Sequence, residues 1–337
     1  MKAVAYYQSL PSSDPHSLQD IELPAPTPGP RDLLVAVRAI SVNPVDTKIR
    51  SNVAPADGQA KVLGWDVAGV VQAMGSEVSL FQVGDEVFYA GALQRQGGNS
   101  ELHVVDERIV GHKPRSLGFA EAAALPLTAI TAWELLFERL KIAEGSASSG
   151  QSLLIIGAAG GVGSILTQLA RQLTGLTVIG TASRPETADW VRQLGAHHVL
   201  DHSQPLLPQL QQLGIQQVNH VASLTHTDQH YDQLIEALAP QGQLALIDDP
   251  AQLDVVKLKR KSLSLHWEFM YTRSLFETPD MQAQHALLEQ VAQLIDAGTL
   301  HTTLGEHFGS INANNLRRAH VLLESGKARG KIVLEGF

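Results

Sequence analysis

The order of apolar and polar positions changes character partway along the chain. Over residues 1 to about 125, short strand-like apolar runs are broken by proline and glycine clusters, at 24–30, 64–75 and Gly84. That texture predicts a β-rich domain. Across 119–140, alanine-rich residues and then Ile130-Thr131-Ala132-Trp133-Glu134-Leu135-Leu136 read as helix and mark a change of domain. After the serine- and glycine-containing loop 145–150, strands and helices alternate. The predicted strands are 152–156, 177–181, one near His198, 219–223 and 243–247, with helices through Leu173, over 185–194 and over 231–238 between them. Strand and helix in turn predict a parallel sheet with right-handed crossovers, an α/β arrangement. Beyond Leu265 come a helix at 281–297, an extended run at 301–307, a helix at 312–325 and a terminal strand at 331–334, and this tail is assigned back to the first domain. The expected organisation is 1–125 with 266–337 as one domain and 126–265 as the other.

Composition agrees with two cores rather than one. A chain of 337 residues, 44% hydrophobic and 18% charged, exceeds the usual size of a single core and has the apolar content to fold. The net charge of −9 leaves no broad basic face, and the densest basic run, 257–261, is short, so nucleic acid is not expected as the main partner. No stretch approaches the ~20 consecutive apolar residues of a membrane helix, and the first residues lead straight into a strand without a signal-peptide core, so the expected location is the cytoplasm. The absence of cysteine excludes disulfides, thiol nucleophiles and cysteine-ligated zinc.

The strand at 152–156 runs into Gly157-Ala158-Ala159-Gly160-Gly161-Val162-Gly163, and a helix starts at Ser164. Strand, glycine turn and helix are the context in which a backbone approaches a pyrophosphate, whose charge the free amides of the helix start stabilise. Ala158 stands where the strict G-x-G-x-x-G pattern has its first glycine. About 20 residues on, where an NAD-binding Rossmann fold carries an acidic residue for the ribose, the chain reads Ala182-Ser183-Arg184. A hydroxyl and a guanidinium suit a 2′-phosphate, which a carboxylate would repel, so NADPH is expected over NADH. The plainer reading of Ser183 is a helix cap, and of Arg184 a solvated arginine before a proline-started helix.

Several segments resemble the medium-chain dehydrogenase/reductase superfamily, in its quinone oxidoreductase branch, over nearly the whole chain. They are Ser41-Val42-Asn43-Pro44-Val45-Asp46-Thr47-Lys48-Ile49-Arg50, Leu63-Gly64-Trp65-Asp66-Val67-Ala68-Gly69-Val70-Val71, Val83-Gly84-Asp85-Glu86-Val87, the glycines above, and Gly330-Lys331-Ile332-Val333-Leu334. More specifically, the chain looks like bacterial proteins labelled zinc-type alcohol dehydrogenase-like. The resemblance implies a GroES-like catalytic domain built from both chain ends, a Rossmann domain between them, and a homodimer. It also carries a departure. Where zinc members place a cysteine ligand this chain has Asn43, where they place Gly-His-Glu it has Gly64-Trp65-Asp66, and the four-cysteine lobe is missing. No zinc is therefore expected, and His197, His198 and the histidines of 226–230 are read as surface or helix-flanking residues.

Without a Lewis acid, hydride transfer to a quinone or an α,β-unsaturated carbonyl is easier than alcohol oxidation, because the developing charge spreads onto oxygen. Asn43 is the first candidate to donate a hydrogen bond to that oxygen, against the alternative of an Asn-Pro turn, and Lys48 is the candidate proton donor, against the plainer reading of a surface lysine. Asp46 and Arg50, four apart, are expected to pair within a helix. Trp65 and Tyr89 are candidate walls for a planar substrate, against the alternative that either is core, and Trp267 is a weaker candidate for the same cleft. Thr128 matches the family's nicotinamide-contacting threonine. Leu224, Thr225 and Ile247 end strands bordering the crevice, and Lys331 is a further cofactor-binding candidate. Two other functions stay open: metal-dependent alcohol or aldehyde chemistry, and NADPH binding without catalysis.

Overall fold

The computed structural model describes residues 1–56 and 58–337, which divide into two compact units: 1–130 with 271–337, and 131–270. Each junction lies five residues beyond the expected one, and the helix Pro126–Trp133 runs across the first. The stretch Phe119–Arg139 is helical, and long and apolar enough by composition to cross a membrane, but 83% of its apolar window is buried within the protein, as in a core helix.

In the first unit the strand Asp32–Val42 is the hub. One edge pairs antiparallel with Val67–Met74; the other is shared, residues 32–36 pairing with Leu102–Asp106 and residues 39–42 with the C-terminal strand Lys331–Glu335. The C-terminal strand thus completes the sheet of the first unit. The register has a chemical consequence. Val42 faces Ile332 and Ile40 faces Val67, so Asn43 and Asp66, each one residue outside its strand, and Lys331, the first residue of its own, are brought to one end of three adjacent strands. A second sheet of the strands Lys2–Tyr6, Gln19–Glu22 and Lys61–Val62 completes the β-rich unit.

The second unit is a parallel sheet formed by β1 (Ser152–Ile156), β2 (Thr177–Thr181), β3 (His198–Leu200), β4 (Val218–Ser223), β5 (Leu238–Leu246) and β6 (Ser264–Trp267), in the order β3-β2-β1-β4-β5-β6. All five pairings are parallel. This is the doubly wound dinucleotide-binding order, with its switch point between β1 and β4. Every residue of β1 is buried, which is why the strand reads as one unbroken apolar run rather than an alternation. Leu154, Ile156, Ile179, Val221, Leu234 and Leu244 pack into one core, with helices such as Thr227–Ala237 supplying the apolar side chains that cover the sheet.

Candidate functional site

The dinucleotide edge is built first by backbone. Gly157 has φ +78, a left-handed turn that releases the chain from β1, and its amide donates to Thr181 Oγ1 at 3.1 Å, tying the turn to the end of β2. The helix Gly161–Leu173 starts with Gly160 as its cap, without a side chain. A Cβ on Gly163 would lie 2.5 Å from Ala158 Cα and closer still to the Gly157 carbonyl, so this glycine lets the helix sit against the strand. A Cβ on Gly160 would meet only the Gly157 oxygen, at 3.5 Å, so this glycine is not required by packing. The open cradle with unpaired first-turn amides fits a pyrophosphate. Ala158 takes the place of the first motif glycine at no cost to this arrangement, because its methyl turns inward and is wholly buried opposite Gly180.

Along the same edge lie Ala159, Gly161 and Val162 in the turn and first helical turn, and Ser183 and Arg184 after β2. Leu224 and Thr225 follow β4, and Ile247 follows β5, its amide donating to the Ser223 carbonyl at 3.4 Å. Ser183 is exposed, and Arg184 caps the helix Pro185–Gln193 by its backbone while its half-exposed guanidinium lies 3.3 Å from Glu186. Trp267, at the end of β6, is 52% exposed.

The second site is a buried polar cluster in the first unit. Asn43 is 1% exposed; its Nδ2 donates to Asp66 Oδ2 at 2.7 Å and its Oδ1 accepts from Lys331 Nζ. Lys331, 3% exposed, also donates to the Val42 carbonyl at 2.9 Å and stands 3.0 Å from Asp66 Oδ2. The other Asp66 oxygen accepts the Leu127 amide at 2.7 Å. Asp46 accepts the Asn43 and Gly64 amides at 2.7 and 2.9 Å. Burial pushes Asp66 up, and Lys331, the Leu127 amide and Asn43 pull it back; with donors on both oxygens we treat it as the carboxylate partner of the Lys331 ammonium. Burial also raises Asp46, to about 7, against the Asn43 amide, Lys331 and the Gly64 amide. Tyr271, buried beside both, is held well above the ordinary phenol range by burial and by the two carboxylates.

This geometry corrects four sequence-based expectations. Asn43 has its amide committed inside the protein and positions Asp66 and Lys331 rather than a substrate oxygen. Lys331 is a buried partner of Asp66, not a residue reaching for cofactor. Asp46 does not pair with Arg50: the two backbone amides consume its oxygens, while Arg50 bonds Glu324 at 2.5 Å and His320 at 3.0 Å. Trp65 and Tyr89 are 1% and 0% exposed, core residues rather than walls of a pocket. Lys48 is exposed on the helix Pro44–Asn52, and Thr128 is buried with its hydroxyl donating to the Leu125 carbonyl at 3.0 Å. Asp46, Asp66 and Tyr271 were not singled out as site residues. For Asp66 a signal existed: it stands where zinc members carry a glutamate.

Nor does the cluster fit zinc. The chain has no cysteine, Asn43 offers an amide, and the Lys331 ammonium already fills the space between Asn43 Oδ1 and Asp66. Among the described residues no three His, Asp or Glu side chains converge to hold a metal ion.

Tyr89 carries a pH prediction. Its hydroxyl lies 3.0 Å from His103 Nδ1, and His103 Nε2 lies 2.9 Å from the Gln96 carbonyl, which only accepts. Nε2 therefore holds the proton, Nδ1 accepts from Tyr89, and burial lowers His103 to about 4. The unfolded chain takes up this proton near pH 6.5 and the native one does not, so the stability His103 lends is full above 6.5 and falls away as pH drops towards 4. Between pH 7 and 4.5 the loss is about 2 kcal/mol. His103→Gln is expected to flatten that part of the stability profile in denaturant titrations; an unchanged slope would refute the assignment.

Comparison with known proteins agrees with both halves. Residues 29–133 match the alcohol dehydrogenase GroES-like domain family and residues 194–334 the zinc-binding dehydrogenase family. The chain is 41% identical over 336 residues to a zinc-type alcohol dehydrogenase-like protein of Staphylococcus aureus, covering 99% of each. It is 34% identical over 313 residues to a quinone oxidoreductase of Pseudomonas aeruginosa, covering 91% of this chain and 92% of that one. Among solved structures it is similar to a putative zinc-dependent alcohol dehydrogenase protein from Rhizobium etli, with TM-score 0.97, 55% identity and coverage of 100% and 98%. It is also similar to a mycobacterial protein complexed with NADPH, with TM-score 0.84, 27% identity and 99% of each chain covered. From fold, glycine turn and these relatives together, the chain belongs to the medium-chain dehydrogenase/reductase family of oxidoreductases.

Proposed function

We propose that this protein is an NADPH-dependent reductase of quinones or α,β-unsaturated carbonyls that works without zinc. The observation that carries the reading is Lys331, a fixed internal ammonium bonded to Asn43 and Asp66 where zinc-containing relatives would need metal ligands. With no Lewis acid to hold an alkoxide, the substrate class that remains is the one whose own conjugation delocalises the charge of hydride addition. The quinone oxidoreductase relative supports the same class. When bound, NADPH supplies the hydride; the protein binds and orients. The 157–163 turn takes the pyrophosphate, and Ser183 and Arg184 face the 2′-phosphate, a choice supported by the NADPH complex of the mycobacterial relative. Lys48, exposed on the helix that carries Asp46, is the candidate proton donor.

The test is NADPH oxidation by chelator-treated protein with a panel of quinones and enones, with NADH in parallel. Turnover that prefers NADPH and ignores the chelator is expected. Silence that only zinc with an alcohol relieves would overturn the reading, and binding without turnover on any acceptor would favour a non-catalytic role. Arg184→Ala is expected to cut the ratio of NADPH to NADH affinity roughly 10-fold, the value of one charge-assisted hydrogen bond. An unchanged ratio in equilibrium titrations would return Arg184 to the solvated surface.

A further inference from the structure

Three histidines surround the outer side of the glycine turn. His202, just past β3, places Nδ1 3.3 Å from Thr181 Oγ1, the same oxygen that accepts the Gly157 amide. His226 places Nδ1 2.7 Å from Thr225 Oγ1, and the Thr225 methyl lies 2.9 Å from where a Cβ on residue 157 would stand. His230 follows one turn later on the helix Thr227–Ala237, its ring 6.1 Å from that of His202 and edge-on to it, with Nδ1 buried and unbonded. His226 is moreover left-handed, at φ +50, a conformation side-chain-bearing residues rarely hold and one that clusters at ligand sites. All three lie at the carboxyl edge of the parallel sheet, beyond β3 and β4, flanking the end of β2 where a bound dinucleotide presents its ribose.

We propose that His202, His226 and His230 form a proton-dependent site for the 2′-phosphate of NADPH, so that preference over NADH strengthens as pH falls from 8 towards 6. The inference rests on the NADPH reading above and goes beyond it by adding charge on His202 and His230 that forms when the phosphate is bound. In the free protein, burial and the neighbouring histidines lower His202 and His230, leaving them neutral at pH 7. The charges facing them are few. Asp201 lies beside His202 but is held by the Ser203 amide and hydroxyl, Asp228 faces His230, and Asp248 is occupied by Thr227. The helix Leu206–Gln212 and the glycine turn bring no ionisable side chain. A phosphate dianion placed among these rings favours their charged forms, and protons are drawn in from solvent with it. The ligand cannot imitate that uptake: its second pKa is about 6, so binding as the dianion at pH 7 releases a fraction of a proton.

Calorimetric titration of the whole chain with NADPH and with NADH, at pH 6 to 8 and in two buffers of different ionisation enthalpy, reads this directly. Net proton uptake at pH 7 is expected with NADPH and not with NADH, and the affinity ratio is expected to rise about tenfold per proton linked and per pH unit. His202→Gln should reduce both the uptake and the slope, with thermal unfolding confirming that the variant is folded. If NADPH binds more tightly than NADH but with no excess uptake and a ratio flat in pH, the histidine site is overturned and the Arg184 reading stands. If NADPH is not preferred at any pH, the cofactor reading itself falls, and the inference with it.

Discussion

Replacing Lys331 with methionine is expected to lower the unfolding midpoint by roughly 6–20 °C. The substitution keeps an unbranched side chain one atom shorter and removes its charge, which leaves Asp66, wholly buried, without its cation and Asn43 Oδ1 without its donor. Removing one partner of a buried ion pair costs about 3–5 kcal/mol, because the remaining charge is uncompensated, and each kcal/mol moves the midpoint of a unit this size by about 2–4 °C. The double variant Lys331→Met with Asp66→Asn should recover much of the loss, since both charges then leave together. The single variant should also become relatively more stable as pH falls. Its buried carboxyls are pushed up by burial and lose the opposing Lys331 charge, so the native state binds protons that the unfolded chain does not. A midpoint within 2 °C of the parent, or a double variant weaker than the single one, would show that the ammonium is not the cation of this cluster.

The second large effect distinguishes two glycines that look alike in the motif. Gly163→Ala forces a methyl onto the backbone of residues 157 and 158, neither of which can move without carrying β1 with it. The helix must shift instead, at about 1–3 kcal/mol of stability, and dinucleotide affinity should fall at least about 100-fold, since the first-turn amides move with it. Gly160→Ala meets no such obstacle. Its methyl rests 3.5 Å from the Gly157 oxygen at an ordinary φ of −75, so stability should stay within about 1 kcal/mol. The methyl nevertheless occupies the open cradle, so pyrophosphate binding should still weaken. Thermal unfolding and NADPH titration of the two variants side by side test the distinction. Equal destabilisation by both would mean that packing alone accounts for the glycines.

The family was legible in short segments of sequence because those segments encode local geometry. A strand buried on both faces reads as Leu153-Leu154-Ile155-Ile156, a tight turn and a close helix approach require Gly157 and Gly163, and the missing acidic residue at Ser183-Arg184 states a charge preference without any structure. The absence of cysteine likewise removed most zinc chemistry before a fold was known. What the sequence could not determine is which polar residues face ligand and which face one another. Asn43, Asp66 and Lys331 are separated by as many as 288 positions and meet only because three strands pair in one register, Val42 with Ile332 and Ile40 with Val67. Once met, they satisfy each other, and burial makes that satisfaction obligatory. For the same reason Trp65 and Tyr89, amphipathic enough for either role, turn out to be core, and Asp46 bonds two backbone amides instead of the arginine four residues on. His226 and His230 read singly as surface residues and His202 carries no signal of its own, since one histidine carries no direction. The carboxyl ends of β3 and β4 set them around a turn that neither strand contains. Local backbone preference is written in neighbouring residues, whereas the pairing of charges is a property of the register between distant ones, and it exists only when the sheet has closed.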